Sequence, residues 1–165
     1  MDGLLHATGR ADSTAGPLSG GGQRPSGTGR ADGGDLGTSR GAVSDRGFAF
    51  DAAVAPGGYR WWYVDALSDD GEFGIVVIAF IGSVFSPYYA WSGWRDPYRH
   101  CAVNVALYGR GARWAMTERG RDNLDCAQDR LRIGPSSMQW RDGALVISIN
   151  ECAAPFPRAI RGEII

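Results

Sequence analysis

From Tyr59 to the last residue, short runs of aromatic and β-branched side chains alternate with turn signals every few residues. That spacing belongs to strands and hairpins, not to helices. Tyr59 to Leu67 alternates loosely and predicts a strand. Asp69-Asp70-Gly71 turns the chain into Phe73 to Ile81, a strand apolar enough to be covered on both faces. Ala102 to Tyr108 and Arg113 to Thr117 follow as strands around Gly109-Arg110-Gly111. Leu131 to Ile133 and Met138 to Trp140 flank Gly134-Pro135 as short strands. Arg141-Asp142-Gly143 is the sharpest hairpin signal, and it leads into Ala144 to Asn150, where Leu145, Ile147 and Ile149 share one face. Ala159 to Ile165 opens a further strand. Arg121 to Arg130 is assigned to loop, and no segment carries a helical apolar stripe. The expected fold class is all-β: an antiparallel barrel or sandwich, incomplete at its end because the sequence stops inside a strand pattern. A barrel of about eight strands holds one small apolar ligand in its mouth.

Residues 1–57 have a different composition. Fifteen of the 25 glycines lie in the first 58 residues, and the only aromatics before Tyr59 are Phe48 and Phe50. Thr8-Gly-Arg-Ala-Asp12 recurs as Thr28-Gly-Arg-Ala-Asp32 with no apolar face to stack, so the repeat reads as low complexity. Such a stretch buries too little apolar surface to offset its ordering entropy. The expectation is a disordered glycine-rich tail over 1–57 and a β domain over 58–165, with the change at Pro56-Gly57-Gly58.

Composition excludes several function classes. Seventeen basic residues, all arginine, are offset by 18 acidic ones, leaving a net charge of −1 without the basic excess that nucleic acid requires. Cys101, Cys126 and Cys152 are odd in number and lack metal-ligand spacing, so free thiols in a reducing cytoplasm are expected. The start carries no secretory pattern, and the longest apolar stretch, Ile75 to Phe85, is about half the length a spanning helix needs.

The segment from Gly82 to His100 breaks the strand pattern. It contains Tyr88, Tyr89, Trp91, Trp94 and Tyr98 together with Pro87 and Pro97, which reads as a long aromatic loop between two strands. Such a loop is either the wall of an apolar pocket or a plug sealing one end of the domain. Pro56-Gly-Gly-Tyr-Arg-Trp-Trp-Tyr-Val-Asp-Ala-Leu67, Ile78 to Tyr89, Asp96-Pro97, His100 to Tyr108, Trp114 to Gly120 and the segment beginning Ile133-Gly-Pro-Ser136 appear in that order. This series resembles the amino-terminal portion of the carotenoid 1,2-hydratases, also called hydroxyneurosporene synthases, from about Pro56 to Ile165. The resemblance implies a lipocalin-like fold and addition of water to the terminal double bond of an acyclic carotene such as neurosporene or lycopene, without metal or organic cofactor. It also implies that a His-x-Trp motif and a Tyr-x-Asp motif favoured as catalytic follow Ile165.

Hydrating such an alkene requires a protonated acid at carbon 2 and a sheltered cation at carbon 1. Desolvation keeps an acid protonated, and aromatic faces stabilise a cation by about 2 kcal/mol in a dry site. Asp65 and His100 are the candidate catalytic residues. For Asp65 the alternative is a strand-end carboxylate accepting backbone hydrogen bonds, and for His100 a structural histidine. Trp62, Tyr88, Tyr89, Trp91, Trp94 and Asn104 are the candidate substrate contacts. Glu118 is assigned to an ion pair with Arg119 or Arg121. The expected partners are the carotene and water, at a cytoplasmic location with peripheral contact to the inner membrane. The competing readings are a non-catalytic binder of hydrophobic ligands and an inactive fragment.

Overall fold

The computed structural model describes residues 49–165 and, ahead of them, the backbone of one strand, His6–Asp12. Two five-stranded antiparallel sheets follow one another along the chain. Sheet 1 runs in sequence order from β1 (His6–Asp12) through β2 (Arg60–Leu67), β3 (Gly74–Ile81) and β4 (Cys101–Tyr108) to β5 (Arg113–Arg119). Sheet 2 comprises β6 (Leu124–Ala127), β7 (Arg130–Ile133), β8 (Ser136–Arg141), β9 (Ala144–Cys152) and β10 (Ala159–Ile164), again with sequence neighbours paired. Local chemistry places the turns. Asp142 and Gly143 both take positive φ, 49° and 82°, the geometry that joins strands without splaying them. Ser68 and Asp70 fasten the β2–β3 turn, the Ser68 hydroxyl donating to Asp70 Oδ1 at 2.5 Å.

The sheets pack face to face. Trp62, Val64, Val77, Ala79, Val103, Val105 and Ala115 of sheet 1 meet Leu131, Ile133, Met138, Ile147, Ile149 and Ile160 of sheet 2. These side chains interdigitate so fully that the void between them is about 10 Å³, at the limit of what admits a single water. The expected class therefore takes its sandwich form: the strands do not close into a barrel, and among the described residues the packed centre between the sheets holds no ligand-sized space. One polar clamp crosses between the sheets. Arg119 of β5 donates to Glu151 Oε2 of β9 at 2.7 Å, and Ser136 donates to Glu151 Oε1 at 2.6 Å. The Glu151 side chain is 0% exposed, yet both of its oxygens are satisfied.

Three boundaries differ from expectation. The folded unit begins ahead of Pro56, because Phe50 and Val54 are core residues. Phe50 packs 5.4 Å from Trp62, and its N–H donates to the Gln128 carbonyl. Two anchoring hydrophobes disappear in a compositional average taken over 57 residues. Further back, the first copy of the repeated pentapeptide lies on β1, where Thr8 pairs with Asp65 and Asp12 with Trp61. Residues 1–5 and 13–48 of the expected tail lie outside the described residues. Lastly, Arg121 to Arg130 is not wholly loop: a 3₁₀ turn over Arg121–Asn123 leads into β6, whose four residues are too few to show alternation.

Candidate functional site

The outward face of sheet 1 departs from the pattern of a two-layer sandwich, in which outward residues are polar. Register assigns three rows to it across β2 to β5: Trp61–Phe80–Ala102–Glu118, Tyr63–Ile78–Asn104–Met116 and Asp65–Val76–Ala106–Trp114. Nine of these twelve side chains are aromatic, aliphatic or thioether. Trp61 lies 6.0 Å from Phe80, and Phe85 meets Phe80 edge-on at 5.6 Å, so the first row continues as an aromatic ladder beyond the strands. The indole Nε1 of Trp61 is buried there without a hydrogen-bond partner among the described residues. Burial, and next the charge of Asp65, raise the Tyr63 hydroxyl above its ordinary range.

At one end of this face His100 Nδ1 lies 2.6 Å from Glu118 Oε1, both side chains being mostly buried. His100 is held by stacking on Tyr89, ring centroids 5.1 Å apart. Tyr89 is fixed in turn: its hydroxyl donates to the Gly58 carbonyl at 2.7 Å, and Trp94 packs edge-on against its ring. The intervening segment is not irregular throughout, because Ser86 caps a short helix, α1 (Pro87–Trp91), by accepting from the Tyr89 N–H. Gly82 allows this cap to close. Its φ is 71°, and a Cβ there would lie 2.7 Å from the Gly58 carbonyl oxygen.

The structure sorts the sequence candidates by face. Asn104 and His100 share the outward face with Glu118, and Asn104 and Glu118 are diagonal neighbours across β4 and β5, a relation that places Cα atoms about 7–8 Å apart. Asp65 shares the face but lies on β2, three strands from Glu118. Trp62 does not contribute, since alternation turns it into the core, where its Nε1 donates to the Ala49 carbonyl at 3.2 Å. Tyr89 and Trp94 belong to the packed cap that orients His100. Tyr88 and Trp91 turn outward and are exposed, lining neither the interior void nor the groove described next. Glu118, assigned from sequence to an arginine pair, instead meets His100. Adjacent residues on a strand face opposite ways, so Glu118 and Arg119 cannot pair across β5, and this signal was present in the sequence.

A second concavity of about 480 Å³ opens at the far end of the sandwich, lined by Ile75, Leu107, Tyr108, Ile149, Ile160 and Ile164 with Arg110, Arg113 and Arg161. None of the sequence candidates reaches it. Among the described residues, no three of His, Cys, Asp and Glu converge as metal ligands, and no helix is long and apolar enough to cross a membrane. All three cysteines are free, and burial pushes the Cys101 thiol up to about 12.

A protein-family model described as carotenoid hydratase CrtC matches residues 77–165. The acyclic carotenoid 1,2-hydratase of Thiocapsa roseopersicina is 56% identical over 168 residues, covering 99% of this chain and 42% of the relative. That match includes residues before Pro56, which the motif series left out. The acyclic carotenoid 1,2-hydratase of Rubrivivax gelatinosus is 52% identical over 121 residues, 70% of this chain and 30% of the relative. A hydroxyneurosporene dehydrogenase of Chlorobaculum tepidum is 34% identical over 73 residues, 43% of this chain and 19% of the relative. The chain thus spans about two fifths or less of the length of these relatives. No solved structure matches.

Proposed function

Because this chain belongs to the carotenoid hydratase (CrtC) family, we propose that it forms part of an enzyme adding water to the terminal 1,2 double bond of an acyclic carotene such as neurosporene or lycopene. The observation that carries this reading is the His100–Glu118 pair at the end of an outward-facing apolar and aromatic surface. A polyene lying along the three rows displaces water from the pair. The proposed cycle starts with a proton on Glu118 Oε2 and the His100 Nδ1–H donating to Oε1. Glu118 Oε2–H then protonates carbon 2, the π pair forming the new C–H bond. Carbon 1 becomes a tertiary cation, which the face of Trp61, backed by the buried Phe80, stabilises by about 2 kcal/mol when desolvated. The carboxylate left on Glu118 is steadied by the imidazole N–H. Water held by Asn104 adds to carbon 1, and the proton it sheds returns to Glu118. The sum is alkene plus water giving a tertiary alcohol, with the acid restored. His100 is oriented by Tyr89 and Trp94, whereas Asp65, three strands away, tunes Tyr63 and takes no part in the proton circuit.

The 1,2 double bond lies outside the conjugated system, so the product should be more polar than the substrate with an unchanged chromophore. The test uses this chain and, in parallel, this chain joined to the remaining portion of the Thiocapsa roseopersicina relative, each incubated with lycopene in D₂O. The expected product is a 1-hydroxy derivative carrying one deuterium at carbon 2. If neither protein forms product while the intact relative does, the reading fails.

A further inference from the structure

We propose that the tip formed by Phe85, Tyr88 and Trp91 is where the protein docks on an anionic lipid bilayer. The three are 62%, 63% and 76% exposed and fall within seven residues. They are not ragged loop side chains. Tyr88 and Trp91 meet edge-on at 5.5 Å across one turn of α1, and that turn is anchored from beneath by Tyr89, which is fully buried. A rigid cap presenting Phe, Tyr and Trp outward has the composition of interfacial anchors, whose rings sit at the level of lipid headgroups.

Charge points the same way. Between Gly82 and Arg99 the sole acid is Asp96, and its carboxylate is already engaged by the Tyr98 N–H and Arg99 Nε. Arg95 and Arg99 are exposed beside it, leaving the segment net positive. Basic side chains at a bilayer surface each add attraction for anionic headgroups. Position adds a third argument: Phe85 is also the outermost ring of the Trp61–Phe80–Phe85 ladder. A tip seated in the headgroup layer puts that ladder, and behind it the His100–Glu118 pair, at the exit point for a hydrocarbon dissolved in the membrane. This deepens the hydration reading and rests on it for the identity of the cargo, but docking itself needs no carotene.

The experiment therefore omits carotene. The 165-residue chain is sedimented with sucrose-loaded vesicles of phosphatidylcholine containing phosphatidylglycerol, and with phosphatidylcholine alone. The wild type should pellet with the mixed vesicles, and its tryptophan emission should be quenched by shallow brominated lipids. Tyr88→Ser/Trp91→Ser should cut partitioning by at least about tenfold while leaving the circular dichroism spectrum unchanged. Arg95→Gln/Arg99→Gln should cut it by about fivefold or more on mixed vesicles and little on neutral ones. Phe156→Ser, an exposed aromatic between β9 and β10, should pellet like the wild type. The proposal is overturned if wild type stays in the supernatant, if the aromatic double variant pellets unchanged, or if that variant merely converts a dimer to a monomer without altering vesicle binding. Vesicle binding by a chain that forms no product in the separate lycopene assay, either alone or joined to the relative's remaining portion, would instead sink the hydration reading and leave the docking site standing.

Discussion

The two sheets share strand number and connectivity, yet their outward faces are unlike. Sheet 2 presents Arg130, Arg132, Ser137, Gln139, Ser148, Asn150, Arg161 and Glu163 outward, tied by contacts such as Arg130–Asp125 at 2.9 Å and Ser148–Glu163 at 3.0 Å, with Val146 the one branched aliphatic side chain among them. Sheet 1 presents Trp61, Tyr63, Val76, Ile78 and Met116, and its acids and amide sit singly among them. Both sheets bury equally apolar inner faces, so the demands of the core do not explain the difference. An apolar outward face of this kind fits the contact with an apolar ligand that the proposed function requires. On that proposal sheet 2 is scaffold, and sheet 1 is scaffold on one side and working surface on the other.

Neighbouring tryptophans offer the strongest way to break this contrast. Trp62→Ala, on the inner face, should cost about 3–5 kcal/mol of unfolding free energy. Trp61→Ala, one residue earlier on the outer face, should cost about 1 kcal/mol or less and instead weaken polyene binding. Denaturant titration beside carotene-retention measurements separates the two, and equal losses of stability would erase the distinction between faces. Glu118→Gln should lower hydration by about 10²–10⁴-fold in the chimaeric enzyme while leaving stability near wild type, because the amide fits the same space without a transferable proton. Gln139→Glu, placing a carboxyl on the outward face of sheet 2, should change neither. A charge at the centre of the working surface sharpens the comparison further: Ile78→Asp should abolish carotene retention at a stability cost of about 1 kcal/mol, whereas Ser137→Asp should be silent, within about 0.5 kcal/mol.

A further effect concerns pH and two groups buried in the core and beneath the cap. Burial raises the Cys101 thiol from its ordinary 9.0 to about 12, and burial likewise raises Tyr89. Each group is held neutral in the folded state, so its contribution is fully present below the unfolded value and is lost as pH climbs toward the folded one. Unfolding midpoints should therefore fall between pH about 9 and pH about 12, by roughly 2 kcal/mol for the thiol near pH 10.5. Cys101→Ala should flatten that part of the decline.

Strand positions and turns could be read from the sequence because alternation and turn chemistry are local. Asp142-Gly143 is the clearest case, since its dihedral requirement is written in its residue types. Sheet assignment was not local: nothing in Ile78 or Phe80 says that one face of β3 looks away from the core, because both faces of that strand are equally apolar. Glu118 shows the opposite situation. Strand alternation alone forbids its pairing with Arg119, and the register with Ala102 then turns it toward His100. The aromatic segment was identified as unusual, but its division into a buried Tyr89 and an outward Tyr88 and Trp91 follows from the local cap at Ser86 together with the Tyr89–Gly58 hydrogen bond and the approach of Gly82 to Gly58, the latter two made across more than 20 residues of sequence. Phe50 and Val54 were hidden by the glycine-rich composition around them.

Where a polyene sits on this domain can be measured directly. A diazirine-bearing acyclic polyene, photolysed in the presence of the chain and mapped by peptide mass spectrometry, should label residues of the outward face of sheet 1, with Ile78, Met116 and Trp61 foremost. Labelling confined to the groove between Leu107 and Ile160, or spread evenly over the outward face of sheet 2, would contradict the assignment of that face as the carotene surface.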